Sequence, residues 1–201
     1  MISFNFFFHG LIIFILKMIC EGEFVNYENH KTDKEATMTK STDKKVHFVL
    51  DNLSLSSKAH EEIEIAKRNN RTGSNGILCG AALKLPSGEI ITGVNSPLFH
   101  SATAVIIKAC KALIGLPDDV FLLSSIVIQS IGKMKEVVYQ KDEASLDVRE
   151  LLIALAVESP MNPSVSKVLE LFPKLKGCEM HLTHIPTLGD QSGLKKLGIC
   201  F

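Results

Sequence analysis

Apolar and polar positions fall into three regimes along this chain. Residues 1–20, MISFNFFFHGLIIFILKMIC, are apolar almost throughout, residues 21–52 are rich in Lys, Glu, Asp, Thr and Asn, and from residue 53 short apolar groups recur at regular spacing. The middle regime buries too little apolar surface to offset the entropy of ordering, and it reads as a disordered linker. The last regime predicts one α/β domain over residues 53–201.

Within that domain the spacing predicts the elements in turn. SKAHEEIEIAKRNN suggests a helix from Ser57 to Asn70, capped by Ser57, with Ala59, Ile63 and Ala66 on one side and Gly73 ending it in a left-handed conformation. ILCGAALKL and EIITGVN flank Pro86-Ser87-Gly88, a hairpin signal. SATAVIIKACKALIG carries an apolar stripe at helical steps, with Ser101 as N-cap, Gly115 past the end and Pro117 after it. VFLLS, Val120 to Ser124, reads as a short buried strand, and SIVIQSIGKMKEVVY as a helix weakened by Gly132. Asp147 with Glu150 three residues on marks a capping box for a helix that stops before Pro160. Asn162-Pro163 starts the next helix, which Gly177 closes. Gly177 to Ile185 then reads as a strand, and GLKKLG as a final turn or helix. The alternation implies a layered mixed sheet with helices on its faces.

Charge and cysteine content narrow the function classes. Lys+Arg and Asp+Glu both number 22 among 201 residues, and no local basic patch offers a nucleic-acid surface. The 5 cysteines are odd in number, widely spaced and without a C-x-x-C pair, so neither a disulfide framework nor a thiolate zinc site is indicated. Reduced thiols point to a cytoplasmic domain. Residues 1–20 pull the other way, since they read as a secretory signal, a membrane anchor or a segment extraneous to the domain; a membrane contact depends on their retention.

Candidate chemistry concentrates in GCEMHLTHIPTLGD, which packs Cys178, Glu179, His181, His184 and Asp190 into one stretch. On a strand His181 and His184 face opposite sides and cannot share an ion, so no metal site is expected. Glu179 and His181 share a face, where the carboxylate could orient the imidazole as a general base. The order hairpin, helix, strand, helix is also that of cytidine-deaminase-type folds. Their H-x-E and P-C-x-x-C motifs are absent: His100 is followed by Ser101 and Ala102, and no cysteine lies near Ser124. The expectation is therefore deaminase-like architecture without the zinc motifs. No P-loop, dinucleotide fingerprint or nucleophile elbow is present, and no cofactor is expected.

The segments LKLPSGEIITGVNSPLFHSATAVIIKACKALIGLPDDVFLLS and LLIALAVESPMNPSVSKVLELFPKLKGCEMHLTHIPTLGDQSGLKKLGI resemble the C-terminal portion of the mostly bacterial uncharacterised protein family 0371. The resemblance implies a mixed α/β domain from a much longer chain, without an established activity. It also implies an apolar face left exposed by the missing residues, to be covered by a partner or by self-association. Two readings follow. The first is a non-catalytic domain with a binding or assembly role. The second is an enzyme, or part of one, acting on a small polar or phosphorylated ligand. There Asn95, Ser96, His100, Ser101 and Asn162 bind the ligand, and His181 with Glu179, and His184, move protons.

Overall fold

The computed structural model describes residues 33–73, 76–140 and 145–201, with side chains from residue 50 onward. Residues 1–20, and the linker as far as residue 32, lie outside the described residues. The chain divides into two units, Met1–Lys44 and Lys45–Phe201. The described part of the first is helical, and the second holds the sheet and the apolar core.

Helix α1 spans Asp33–Arg68. It therefore starts well before Ser57, and the part of the polar segment read as linker from residue 33 on belongs to it. Ser57 is an internal helical residue rather than a cap. Nor does Gly73 end the helix. Asn70 adopts the left-handed conformation (φ 51) and Arg71 N–H donates to Ala66 O at 2.9 Å, because an asparagine tolerates positive φ better than most side chains. Gly73 serves packing instead, since a Cβ there would collide with the Ile77 carbonyl.

The hairpin forms as expected, with β1 (Gly80–Lys84) and β2 (Ile90–Val94) antiparallel and Gly88 at φ 87 in the turn. Strand β3 (Glu179–Leu182) adds to the other edge of β1, giving a three-stranded sheet in the order β2-β1-β3. Both pairings are antiparallel. The expected mixed sheet is corrected on this point: among the described residues parallel pairing occurs only as isolated bridges, Phe99 with Leu146 and Glu179 with Cys200. Alternation assigns the two faces. Ala81, Leu83 and Met180 enter the main core, whereas Ala82 packs on Leu55 and Ala59 of α1, and Lys84 pairs with Asp51 at 2.7 Å.

The main core lies between the sheet and the helices α2 (Ser101–Ile114), α4 (Val148–Glu158), α5 (Pro163–Leu171, continued by a 3-10 turn to Leu175) and α6 (Leu188–Leu197). Gly115 terminates α2 at φ 67, Asp147 and Glu150 form the capping box of α4, and the Asn162 side chain accepts from Ser164 N–H at the start of α5. Val120 to Ser124 is not a strand. Leu122 and Leu123 are buried in the main core without pairing to the sheet, and the Ser124 N–H donates to Glu158 Oε1 at 2.7 Å. With that strand missing, the element order behind the deaminase comparison is not met. Helix α3 (Ser125–Tyr139) comes next and has no buried residue. Among the described residues no helix is long and apolar enough to cross a membrane.

Helix α6 crosses the start of α4 on two glycines. A Cβ on Gly193 would come within 2.6 Å of Val148 Cγ1 and 2.9 Å of Arg149 N, and one on Gly189 would collide with the Asp147 carboxylate. Overpacking of this kind costs about 1–3 kcal/mol. Gly193→Ala is therefore expected to lower the unfolding free energy in denaturant by that amount, against less for Ala at an exposed position of α6 such as Lys195; equal values would show that α6 can move away from α4.

Candidate functional site

Three helix N-termini meet at one carboxylate. Asp190, in the first turn of α6, has no solvent exposure. Its Oδ2 accepts from His100 Nδ1 at 2.7 Å and from Thr187 Oγ1 at 2.8 Å, and its Oδ1 from Val148 N–H at 3.0 Å. His100 is the N-cap of α2, Val148 opens α4 and Thr187 is the N-cap of α6. The same junction is tied by Leu146 O, which accepts from His100 N–H at 3.0 Å and Thr103 Oγ1 at 2.9 Å. Anionic charge is favourable at helix N-termini, and Asp190 serves all three.

The electrostatics follow from burial and these partners. Burial alone would lower the His100 pKa, but the hydrogen bond and charge of Asp190, with Asp147 adding, outweigh it and raise the group above its ordinary value; Lys135 opposes. For Asp190 burial would raise the pKa, and His100, Thr187 and the Val148 N–H together hold it low. Burial also raises Asp147, to which the charges of Glu150 and Asp190 add and which its bond from Glu150 N–H opposes. His184 is lowered by burial first, with Asp190 and His100 acting on it in opposite senses. It thus feels the charges of the pair, and among the described residues its buried Nδ1 has no hydrogen-bond partner. A carboxylate bound to Nδ1–H fixes the imidazole tautomer and leaves Nε2 as the basic nitrogen, the arrangement of a general base.

The residues predicted from sequence separate into distinct places. His184 feels the charge of His100, and Asp190 acts on both. Ser101 is helical rather than a cap, because His100 holds the cap position; its side chain is fully buried, and among the described residues its Oγ has no partner. Asn95 is bound to backbone on both sides, accepting from Cys79 N–H and donating to Ile77 O, each at 2.8 Å. Ser96 Oγ accepts from Leu98 and Phe99 N–H within its own turn, and Asn162 caps α5. Glu179 and His181 share the α1 face of β3, opposite Lys84 and Ala82, and no hydrogen bond joins them. Burial lowers the His181 pKa, and nearby His60 adds to this. Sequence reasoning gave Asp190 no role of its own and did not reach Thr187 or Lys135. The Thr187-x-x-Asp190 spacing is a capping signal that marks the helix start, but nothing local marks Asp190 as buried. Among the described residues no cluster of His, Cys, Asp or Glu could hold a metal ion. Cys110, pushed up to about 12 by burial, is an inert thiol.

Comparison with known sequences places this chain in a family. The family described as "Domain of unknown function DUF1846, C-terminal" matches residues 49–201. The chain belongs to this family. It is 37% identical over 134 residues to the UPF0371 protein of Clostridium botulinum (strain Eklund 17B / Type B), covering 67% of this chain and 27% of that one. It is 29% identical over 183 residues to the UPF0371 protein FN1121 of Fusobacterium nucleatum, with 87% and 35% covered, and 35% identical over 118 residues to a UPF0371 protein of Clostridioides difficile (strain 630), with 59% and 24% covered. The chain thus spans about a quarter to a third of the length of these DUF1846 relatives, and His100, Asp147, Thr187 and Asp190 all lie within the residues matched to the DUF1846 C-terminal domain.

Two outcomes test the junction. Asp190→Ala leaves the His100 ring and the Val148 N–H without an acceptor, and should cost about 3–5 kcal/mol, the range for removing one member of a buried pair, read from urea unfolding. The raised His100 pKa stabilises the fold fully below the ordinary histidine range and loses that contribution as pH rises through the raised value. The lowered Asp190 pKa contributes above the ordinary carboxylate range and is lost as pH falls through the lowered value. The stability difference between wild type and His100→Gln should therefore be largest near about pH 6 and shrink toward about pH 9; a constant difference would mean that the pair does not carry the proton described.

Proposed function

We propose that this domain is a non-catalytic binding module of the DUF1846 family, which docks through α3 onto the remaining portion of a family polypeptide. The supporting observation is α3 itself. None of its residues is buried; Ile126, Val137 and Val138 are 73%, 71% and 61% exposed, Met134 and Tyr139 lie open beside them, and Phe121 just before the helix is 85% exposed. Large exposed apolar groups collected on one element mark an interaction surface. The fraction of relatives covered, 27% and 35% of two of them, supplies an occupant: family chains carry a large portion that this domain does not contain. A cytoplasmic setting suits its free cysteines, Cys79, Cys110, Cys178 and Cys200.

A second reading, part of an enzyme acting on a small polar ligand, is favoured by one observation, the His100 imidazole held by buried Asp190. On this reading His100, with His184 beside it, rather than His181 with Glu179, would move the proton, since no hydrogen bond orients His181 from Glu179.

Co-expression of this chain with the portion of the Clostridium botulinum relative outside the matched region should give a complex that survives size exclusion. Phe121→Glu combined with Val137→Glu should disrupt the complex while changing the stability of the isolated domain by no more than about 0.5 kcal/mol, the usual range for surface substitutions. A complex indifferent to both substitutions would remove α3 from the interface.

A further inference from the structure

We propose that the groove between α4 and α6 is a docking site for an amphipathic helix that carries carboxylates beside its apolar stripe. The groove, about 470 Å³, is lined by Arg149, Leu152, Ile153, Ala156 and Val157 of α4 and by Lys196 of α6. Neither helix is α3, so this surface does not rest on the docking role proposed there.

Helix α4 is apolar on two sides. In VRELLIALAVE the polar residues are Arg149, Glu150 and Glu158 alone. Val148, Leu151, Ala154 and Leu155 enter the main core, which is the stripe that a surface helix needs. The helical period brings half-buried Leu152 and the exposed Ile153, Ala156 and Val157 onto another side, as a second stripe. Ile153 and Val157 are 59% and 54% exposed there. A helix apolar all round belongs inside a protein, and here one side of it faces water. Apolar groups gathered in this way mark an interaction surface, and a stripe running along one helix beside a second is the seat for a third.

The charges select the occupant. Both acids of α4 are engaged within the domain: Glu150 Oε2 accepts from Asp147 N–H and from Lys135 Nζ, each at 3.0 Å, and Glu158 Oε1 accepts from Ser124 N–H at 2.7 Å. The groove is left with cations only, Arg149 from α4 and Lys196 from α6. Among the described residues no ion pair or hydrogen bond engages the side chain of either. A second copy placed on this groove by a two-fold axis brings the same cations and no acid, and a basic helix is repelled in the same way. Carboxylates flanking an apolar stripe meet both cations while the stripe covers Ile153 and Val157. Apolar contact then supplies affinity, and charge supplies the choice of partner.

The test titrates the whole chain with a fluorescent peptide of about 18 residues, long enough to form a helix on binding, with leucines along one stripe and glutamates on both flanks. Matched peptides carry lysines on the flanks, or the same residues in scrambled order. Anisotropy should show saturable binding of the glutamate peptide, about tenfold or more tighter than the lysine peptide, because two rim pairs pass from attraction to repulsion. The difference should shrink in high salt, and the scrambled peptide should not bind. Ile153→Ser with Val157→Ser should remove binding while the thermal unfolding transition persists. Arg149→Glu with Lys196→Glu should reverse the preference, so that the lysine peptide binds better, a result that loss of fold does not produce. The proposal is overturned if the glutamate peptide does not bind saturably, or if the glutamate and lysine peptides bind alike. It is overturned too if Phe121→Glu removes binding and the Ile153 and Val157 changes do not, which would place the peptide on α3. Self-association of the unliganded chain that Ile153→Ser abolishes would replace the acidic helix with a second copy.

Discussion

The buried carboxylate of Asp190 is the constraint on which the arrangement of the helices depends. The N-termini of α2, α4 and α6 each end in unpaired N–H groups and a partial positive charge, and bringing three of them together without an anion would be electrostatically unfavourable. Asp190 supplies that anion with no solvent exposure, bonded to His100, Thr187 and the Val148 N–H. Gly189 and Gly193 permit the close approach of α6 to α4 that delivers it. The result is one packed junction with a buried carboxylate at its centre. That double character explains why a structural staple and a proton-holding pair are the same atoms here.

Around this junction the domain is anchored unevenly. Helices α2, α4 and α5 and the sheet share a continuous apolar core, whereas α3 is held by half-buried Val127, Ile128 and Ile131 and by Lys135, which donates to Ser145 O at 2.7 Å and pairs with Glu150 at 3.0 Å. The two faces of the sheet also differ. One enters the core, and the other, under α1, mixes Ala82 with the charges of Lys84, Asp51 and Glu179.

Much of the local structure was legible. The Pro86-Ser87-Gly88 turn, the Asp147–Glu150 capping box, Asn162-Pro163 and the left-handed Gly115 are decided by contacts within a few residues, and each stands where the pattern places it. The errors have one origin. Val120 to Ser124 has the composition of a strand, but Leu122 and Leu123 are buried in the main core and the Ser124 N–H goes to the Glu158 carboxylate instead of a neighbouring strand. Ser101 is a good cap by type, but His100 took the position because its ring reaches Asp190. Ser57 was displaced as a cap because α1 continues through it.

The site was less legible than the fold. His100 and His184 could be named as candidates from residue type alone, yet what holds the His100 ring is Asp190, which lies 90 residues from His100 and 42 from Val148. Amino-acid order by itself determined the caps, turns, helical stripes and strand alternation, along with membership in the DUF1846 family, because these rest on neighbours in the chain. Tertiary structure alone decided which helix ends converge, which carboxylate loses its water and which is left without a donor. Desolvation and long-range pairing depend on the packed whole, and no window of sequence contains them.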